Sequence, residues 1–233
     1  MELVIVIFIA KENNMKKTYL LIVMNLVMVV MLSGCCNKKV SLFNGSDLDG
    51  WNTYLQDKNV KACEVWSVKD GVINCKGKPN GYLRTAEAYS DYKLHVEWRW
   101  VSEPTNSGVL LHATGEDKIW PLCVEAQLMH KSAGDFVTIQ KGSVITVRGE
   151  KHTPPADKIY KIVAKDNASS EKASGQWNSY DIICKDDTIQ LSVNGKVQNS
   201  ATQVSLTSGN ICLQSEGSEI EFRNITLEPL KCN

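Results

Sequence analysis

Tyr92-Lys93-Leu94-His95-Val96-Glu97-Trp98-Arg99-Trp100 alternates without a break. Successive side chains of an extended chain point to opposite faces, so Tyr92, Leu94, Val96, Trp98 and Trp100 share one side and Lys93, His95, Glu97 and Arg99 the other. The same period of two recurs over residues 65–68, 72–75, 108–112, 122–128, 136–140, 144–147, 180–184, 188–193, 210–214 and 220–227. Lys69-Asp70-Gly71 and Asp186-Asp187 read as tight links between such runs, and Asn194-Gly195 after Val193 is the signal of a type I′ hairpin. Helix signals are nearly absent, and many short antiparallel strands predict an all-β sandwich or barrel. Residues 150–176, rich in Lys, Ser, Ala, Asp and Pro, read as a long surface excursion of that one domain, because strand patterning resumes at Trp177.

The N-terminal region sets the expected compartment. Met15-Lys16-Lys17 is a short basic start, and Tyr19 to Met31 is an apolar run broken only by Asn25, shorter than the roughly 20 residues of a membrane span. It ends in Leu32-Ser33-Gly34-Cys35, which resembles a bacterial lipobox, where the cysteine is lipidated and becomes the mature N-terminus. The chain is therefore expected to divide into a signal peptide over 1–34, with 1–14 an extension upstream of a start at Met15, a lipidated tether over 35–40, and one β-sandwich over 41–233. The expected location is the cell envelope, anchored to the membrane through the lipid on Cys35, on the periplasmic or outer-membrane surface.

Removing Lys11, Lys16, Lys17, Glu2 and Glu12 from the 26 basic and 26 acidic residues leaves 23 and 24. So neutral a domain lacks the clustered positive field that nucleic acid requires and suits a neutral ligand such as a sugar. Beyond Cys35 and Cys36 there remain Cys63, Cys75, Cys123, Cys184, Cys212 and Cys232. Cys63 and Cys75, on neighbouring strand-like runs, are the pair expected to form a disulfide, while Cys123, Cys184 and Cys212 read as small buried hydrophobes. No cysteine pair has metal-ligand spacing and no loop has that of a calcium site, so neither metal nor cofactor is expected.

Along 122–128, Glu125 and Gln127 share one face and Val124, Ala126 and Leu128 the other. On an exposed face the pair would be merely solvated; in a hollow it could bind sugar hydroxyls, with Glu125 moving a proton. Glu97 and Arg99 offer a second polar face, which reads equally as a surface ion pair. His112 ends an apolar strand after Asn106-Ser107-Gly108; a lone histidine is more often structural, yet it titrates near neutrality. Of six tryptophans, Trp120, beside Pro121 and after a polar loop, is the best candidate for a platform under a sugar ring.

Taken in order, Leu42-Phe43-Asn44-Gly45-Ser46-Asp47-Leu48-Asp49-Gly50-Trp51, Trp66-Ser67-Val68-Lys69-Asp70-Gly71 and Gly81-Tyr82-Leu83-Arg84-Thr85 resemble the opening of the 3-keto-disaccharide hydrolase family. The resemblance continues through Tyr92 to Trp98, Asn106-Ser107-Gly108-Val109, Glu125-Ala126-Gln127, Trp177-Asn178 and Leu213-Gln214-Ser215-Glu216-Gly217, and closes on Phe222-Arg223-Asn224-Ile225. It implies a concanavalin-like jelly-roll sandwich that acts on glycosides oxidised to a ketone at C3, by hydrolysis or by elimination followed by hydration. A C3 ketone acidifies the C2 hydrogen and eases departure of the C1 substituent. That chemistry assigns Glu125 as base, Gln127, Asn106 or Arg99 as partners of the enolate oxygen, and His112 or Glu97 as the group assisting the leaving oxygen. Ser107, Trp120, Gln214 and Glu216 complete the expected substrate contacts. The competing readings are a carbohydrate-binding module without activity, and a direct glycosidase using Glu97 and Glu125, which requires carboxyls about 5–10 Å apart.

Overall fold

The computed structural model describes residues 38–230. In chain order the strands are β1 (Val40–Ser41), β2 (Trp51–Leu55), β3 (Trp66–Lys69), β4 (Val72–Cys75), β5 (Gly81–Thr85), β6 (Tyr92–Trp100), β7 (Gly108–Thr114), β8 (Leu122–Gln127) and β9 (Phe136–Ile139). They continue with β10 (Ile145–Val147), β11 (Glu150–His152), β12 (Tyr160–Val163), β13 (Asn178–Lys185), β14 (Thr188–Val193), β15 (Lys196–Ala201), β16 (Asn210–Ser215) and β17 (Ile220–Pro229). A single short helix among the described residues, α1 (Ala62–Val65), precedes β3.

Two antiparallel sheets form the layers of the domain, and β10 and β11 pair in a small third one. An eight-stranded sheet runs β15-β14-β13-β6-β17-β4-β3 with β1 added on β17, and a seven-stranded sheet runs β12-β9-β8-β7-β16-β5-β2. The alternation of β6 is realised in full: its five odd-numbered positions of the run, Tyr92 through Trp100 by twos in residue count, are the buried ones. Those side chains meet Val109, Leu111, Val124, Ala126, Phe136 and Leu213 of the other sheet in one core. This is the two-layer sandwich that the period-two pattern and the turns allow, and the jelly roll that the family resemblance implies.

The turns follow their residue types. Asp70-Gly71, Asp186-Asp187 and Asn194-Gly195 each link strands paired immediately on either side, at Lys69 with Val72, Lys185 with Thr188 and Val193 with Lys196. Asn194 and Gly195 both have positive φ, 51° and 77°, as a type I′ turn requires.

Two expectations are corrected. Residues 150–176 are not simply an excursion: β11 pairs with β10, and β12 extends the seven-stranded sheet by pairing with β9 from Tyr160 with Ile139 to Val163 with Phe136. Cys63 and Cys75 are not joined. Cys63 is an exposed free thiol on α1 and Cys75 a buried one on β4, accepting the Gly77 N–H. The helix, where a further strand had been expected, carries Cys63 away from its neighbour. Burial pushes the Cys75 thiol up to about 11, and Cys123, Cys184 and Cys212 are buried free thiols as expected. Cys35, Cys36 and Cys232 lie outside the described residues.

A thiol reagent applied to the native, unreduced protein is therefore expected to modify Cys63 and to reach Cys75, Cys123, Cys184 and Cys212 only after unfolding. A Cys63–Cys75 linked peptide in a non-reduced digest would contradict the fold around α1.

Candidate active site

The seven-stranded sheet is covered on both sides. Val109, Leu111, Val124, Ala126 and Leu213 face the other sheet, while Tyr82, Leu110, Ala113, Cys123, Val137, Ile139 and Cys212 form a second apolar cluster on its outer face. Strand parity puts Glu125 and Gln127 on that outer face with Cys123. The register aligns Ile162, Val137, Glu125, Leu110 and Cys212 in one row across β12, β9, β8, β7 and β16. The adjoining row holds Gln127 opposite Gly108, with Gln214 on the far side, opposite Tyr82.

Glu125 leans from its row over Gly108. A Cβ at position 108 would stand 2.2 Å from Glu125 Oε1, so only glycine leaves room for the carboxyl. The residue is 4 % exposed, and Oε1 has no hydrogen-bond partner among the described residues. Burial, and then the negative charge of Glu216, push its pKa up to about 8. Beside it, Gln127 Oε1 accepts the backbone N–H of Leu128 at 2.9 Å and of Met129 at 2.8 Å. These two bonds identify the oxygen end and leave the amide nitrogen as the donor offered to the cleft.

Two loops supply the rest of the polar wall. Between β6 and β7, and between β16 and β17, Thr105 Oγ1 accepts the Ser218 N–H at 2.7 Å and donates to Ser218 Oγ at 3.0 Å. Gly217, at φ 118°, permits that approach, since a Cβ there would lie 2.3 Å from Thr105 Oγ1. The lock holds Asn106 against Glu216, whose pKa burial raises and the Asn106 hydrogen bond pulls back. Trp120 sits on a loop pinned by Asp117, which accepts from Tyr82 Oη and Arg84 Nη1 at 2.8 Å each, and by Gln140 Nε2, which donates to the Trp120 carbonyl.

Asn106, Trp120, Glu125, Gln127 and Glu216 thus line one cleft of about 200 Å³. Gln214 is buried on the same face next to Gly108, with neither amide atom partnered among the described residues. Missing from the sequence reading is the far wall, made by Met129, Ile159, Tyr160 and Ile162. Its signal is the short run Ile159 to Ala164, apolar except for Lys161, between two polar stretches.

Four expected members stand elsewhere. Glu97 and Arg99 are on the outer face of the eight-stranded sheet, since their β6 neighbours Val96, Trp98 and Trp100 point inward. There Arg223 Nε donates to Glu97 at 2.6 Å, Arg99 Nε donates to Glu221 at 2.5 Å, and both guanidinium groups stack on Trp177. Burial works to raise the Glu97 pKa, but hydrogen bonds from Asn224 and Arg223 and the charges of Arg223 and His95 hold it below the usual range. His112, at φ 55° in a β-bulge of β7, turns inward: it lies edge-on to Tyr92 at 5.5 Å, and its Nδ1–H donates to the Leu206 carbonyl. Its pKa is lowered chiefly by burial. Ser107 is fully buried with its hydroxyl donated to the Gln214 carbonyl, so it ties the loop before β7 to β16. Glu97 and Glu125 face away from each other on opposite outer surfaces, which removes the glycosidase pair they were considered for.

Residues 38–228 match the 3-keto-alpha-glucoside-1,2-lyase-like domain family. The chain belongs to this family. No curated protein matches it. Among solved structures, two candidate glycosyl hydrolases from Parabacteroides distasonis ATCC 8503 are similar. One has 23% identity and a TM-score of 0.59, over 83% of this chain and 94% of that one; the other has 22% and 0.60, over 83% and 100%. A Bacillus licheniformis β-glucanase is similar at 14% identity and a TM-score of 0.55, over 84% of this chain and 99% of that one. At such identities the likeness shows the sandwich fold, and the lyase-like family match is what marks the domain as carbohydrate-active.

An acid whose folded pKa lies above its unfolded one holds its proton more tightly when folded, so Glu125 costs stability progressively as pH rises from about 4.5 to about 8. Glu125→Gln removes that dependence. Its melting temperature is expected to gain on the wild type across this interval, by roughly ten degrees. Calorimetric scans at a series of pH values check this, and a difference that does not vary with pH would show that Glu125 ionises like a surface carboxyl.

Proposed function

We propose that this domain cleaves glycosides carrying a ketone at C3 of the sugar, with Glu125 taking the proton from C2. The observation that carries the reading is the Glu125 carboxyl itself, buried at the cleft with one oxygen unpartnered and its pKa at about 8. A base of that strength suits proton removal next to a ketone at neutral to mildly alkaline pH. Abstraction of the C2 hydrogen moves its electron pair into a C2–C3 enolate, and the Gln127 amide N–H is placed beside Glu125 to donate to the developing oxyanion. The enolate then expels the C1 oxygen, forming a C1–C2 double bond. The departing oxygen needs a proton. With His112 between the sheets and Glu97 on the opposite surface, neither can supply it; Glu216 lines the cleft as the anion that helps raise the Glu125 pKa, and the Tyr160 hydroxyl on the sheet-edge wall is the donor within the cleft. Addition of water to the double bond would complete a net hydrolysis.

Glu125→Gln preserves shape and removes the base, so kcat on a 3-keto-glucoside is expected to fall by about 100-fold or more. The wild-type kcat/KM should rise with pH to a plateau above about 8, since the base must lose its proton to act. Glu216→Gln removes the charge that helps raise the Glu125 pKa, so the surviving activity should reach its plateau at lower pH. Full turnover by Glu125→Gln in a folded protein would defeat the assignment. Retention of unoxidised glycan without release of any aglycone from keto-glycosides would favour a binding module instead.

We also propose that the domain works in the cell envelope, tethered through Cys35. The support is the lipobox-like Leu32-Ser33-Gly34-Cys35 after an apolar run of signal-peptide length. Labelled palmitate is expected to enter the expressed full chain and to be absent from Cys35→Ala; equal labelling of both would overturn the anchor.

A further inference from the structure

Whatever leaves C1 must occupy part of the same cleft, and the cleft changes character with distance from Glu125. Toward Gly108 it is polar, with Asn106, Gln127 and Glu216. Toward the sheet edge the row runs Glu125, Val137, Ile162, and the neighbouring row runs Cys123, Ile139, Tyr160. At about 4.8 Å per strand, Ile162 on β12 stands about 10 Å across the sheet from β8. With the ring hydroxyls met by Asn106, Gln127 and Glu216, the part of the cleft left for the C1 substituent is that toward β12.

That wall is built from exposed apolar side chains. Met129, Ile159, Tyr160 and Ile162 are 37%, 44%, 50% and 45% exposed, and they are four of the seven large apolar side chains exposed among the described residues. Exposed apolar residues scattered singly mean little, whereas a cluster on one wall of a cleft marks a surface that a ligand covers. A second sugar would bring several hydroxyls, each costly to take from water without a partner. From its side chains this end of the cleft offers only the Tyr160 hydroxyl and the Trp120 ring N–H, and the nearby Gln140 amide already donates to the Trp120 carbonyl.

We propose that Ile159, Tyr160 and Ile162, with Met129 and Trp120, form a leaving-group subsite that selects aromatic or other apolar aglycones over a second sugar. The proposal rests on the keto-glycoside reading for its reaction, but the selectivity belongs to these five side chains.

The test compares benzyl 3-keto-α-glucoside with 3-keto-trehalose on the full chain. Benzyl alcohol is no better a leaving group than a sugar hydroxyl, so a preference reports binding in the subsite. kcat/KM is expected to be at least about tenfold higher for the benzyl compound. The Ile159→Ser/Ile162→Ser variant should bring that ratio close to one, chiefly by raising KM for the benzyl compound. Equal or faster cleavage of 3-keto-trehalose by the wild type, or an unchanged ratio in the folded variant, would overturn the subsite. If neither ketone is turned over, the reaction assigned to Glu125 fails. The subsite is then decided by calorimetric titration with the same two compounds: tighter binding of the benzyl compound supports it, and equal or weaker binding overturns it.

Discussion

The architecture of the cleft depends on one close approach, that of the Glu125 carboxyl to Gly108. Glu125 occupies the space that a side chain at position 108 would fill, on a sheet face that in a simple sandwich would be wet. Here the face is roofed by its own apolar cluster and by the loop carrying Trp120, so the carboxyl is desolvated with one oxygen left unpartnered among the described residues. A buried carboxyl lacking a cationic partner keeps its proton to higher pH, and the fold bears the cost of that arrangement at neutral pH. Such a cost is tolerated where the group has work to do.

The rest of the polar wall exists to hold geometry around that carboxyl. Gln127 could rotate its amide either way, but two backbone N–H groups fix its oxygen and so fix its donor. Asn106 and Glu216 come from loops 110 positions apart in sequence, joined because Gly217 admits the Thr105 side chain. The glycines at 108 and 217 are therefore part of the site although neither carries a functional group. Each is needed for close approach: the first by a side chain to a strand, the second by one loop to another.

Much of this was legible in the sequence, and what was not has identifiable causes. Period two separates the two faces of a strand, which is why β6 and β8 were found and why Glu125 and Gln127 were grouped. It carries no information about which sheet a strand joins or what covers its outer face. Glu97 on β6 and Glu125 on β8 look alike as alternating acids, yet one lies in an ion-pair ladder beside Trp177 and the other in a cleft. His112 was misplaced for a related reason: a β-bulge shifts the parity within β7 and turns its ring into the core. The apolar wall is hard to read because β12 is only four residues long and lies between two mostly polar stretches, 150–158 and 165–176.

The cleft's gradient from polar to apolar bears on how the proposed reaction would proceed. Elimination needs a base for the C2 hydrogen and a donor for the enolate oxygen, both beside Glu125, and it consumes no water before the C1 bond breaks. Direct hydrolysis needs a water held on the C1 side from the start, where the side chains are mostly apolar. In the proposed reaction a wall of Met129, Ile159, Tyr160 and Ile162 would exclude that water while the aglycone is bound and admit it once the aglycone has gone. The order this favours is proton abstraction, loss of the aglycone and then hydration. Glu125, protonated by the first step and still facing the C1–C2 double bond, is left able to return its proton to C2 as water adds at C1.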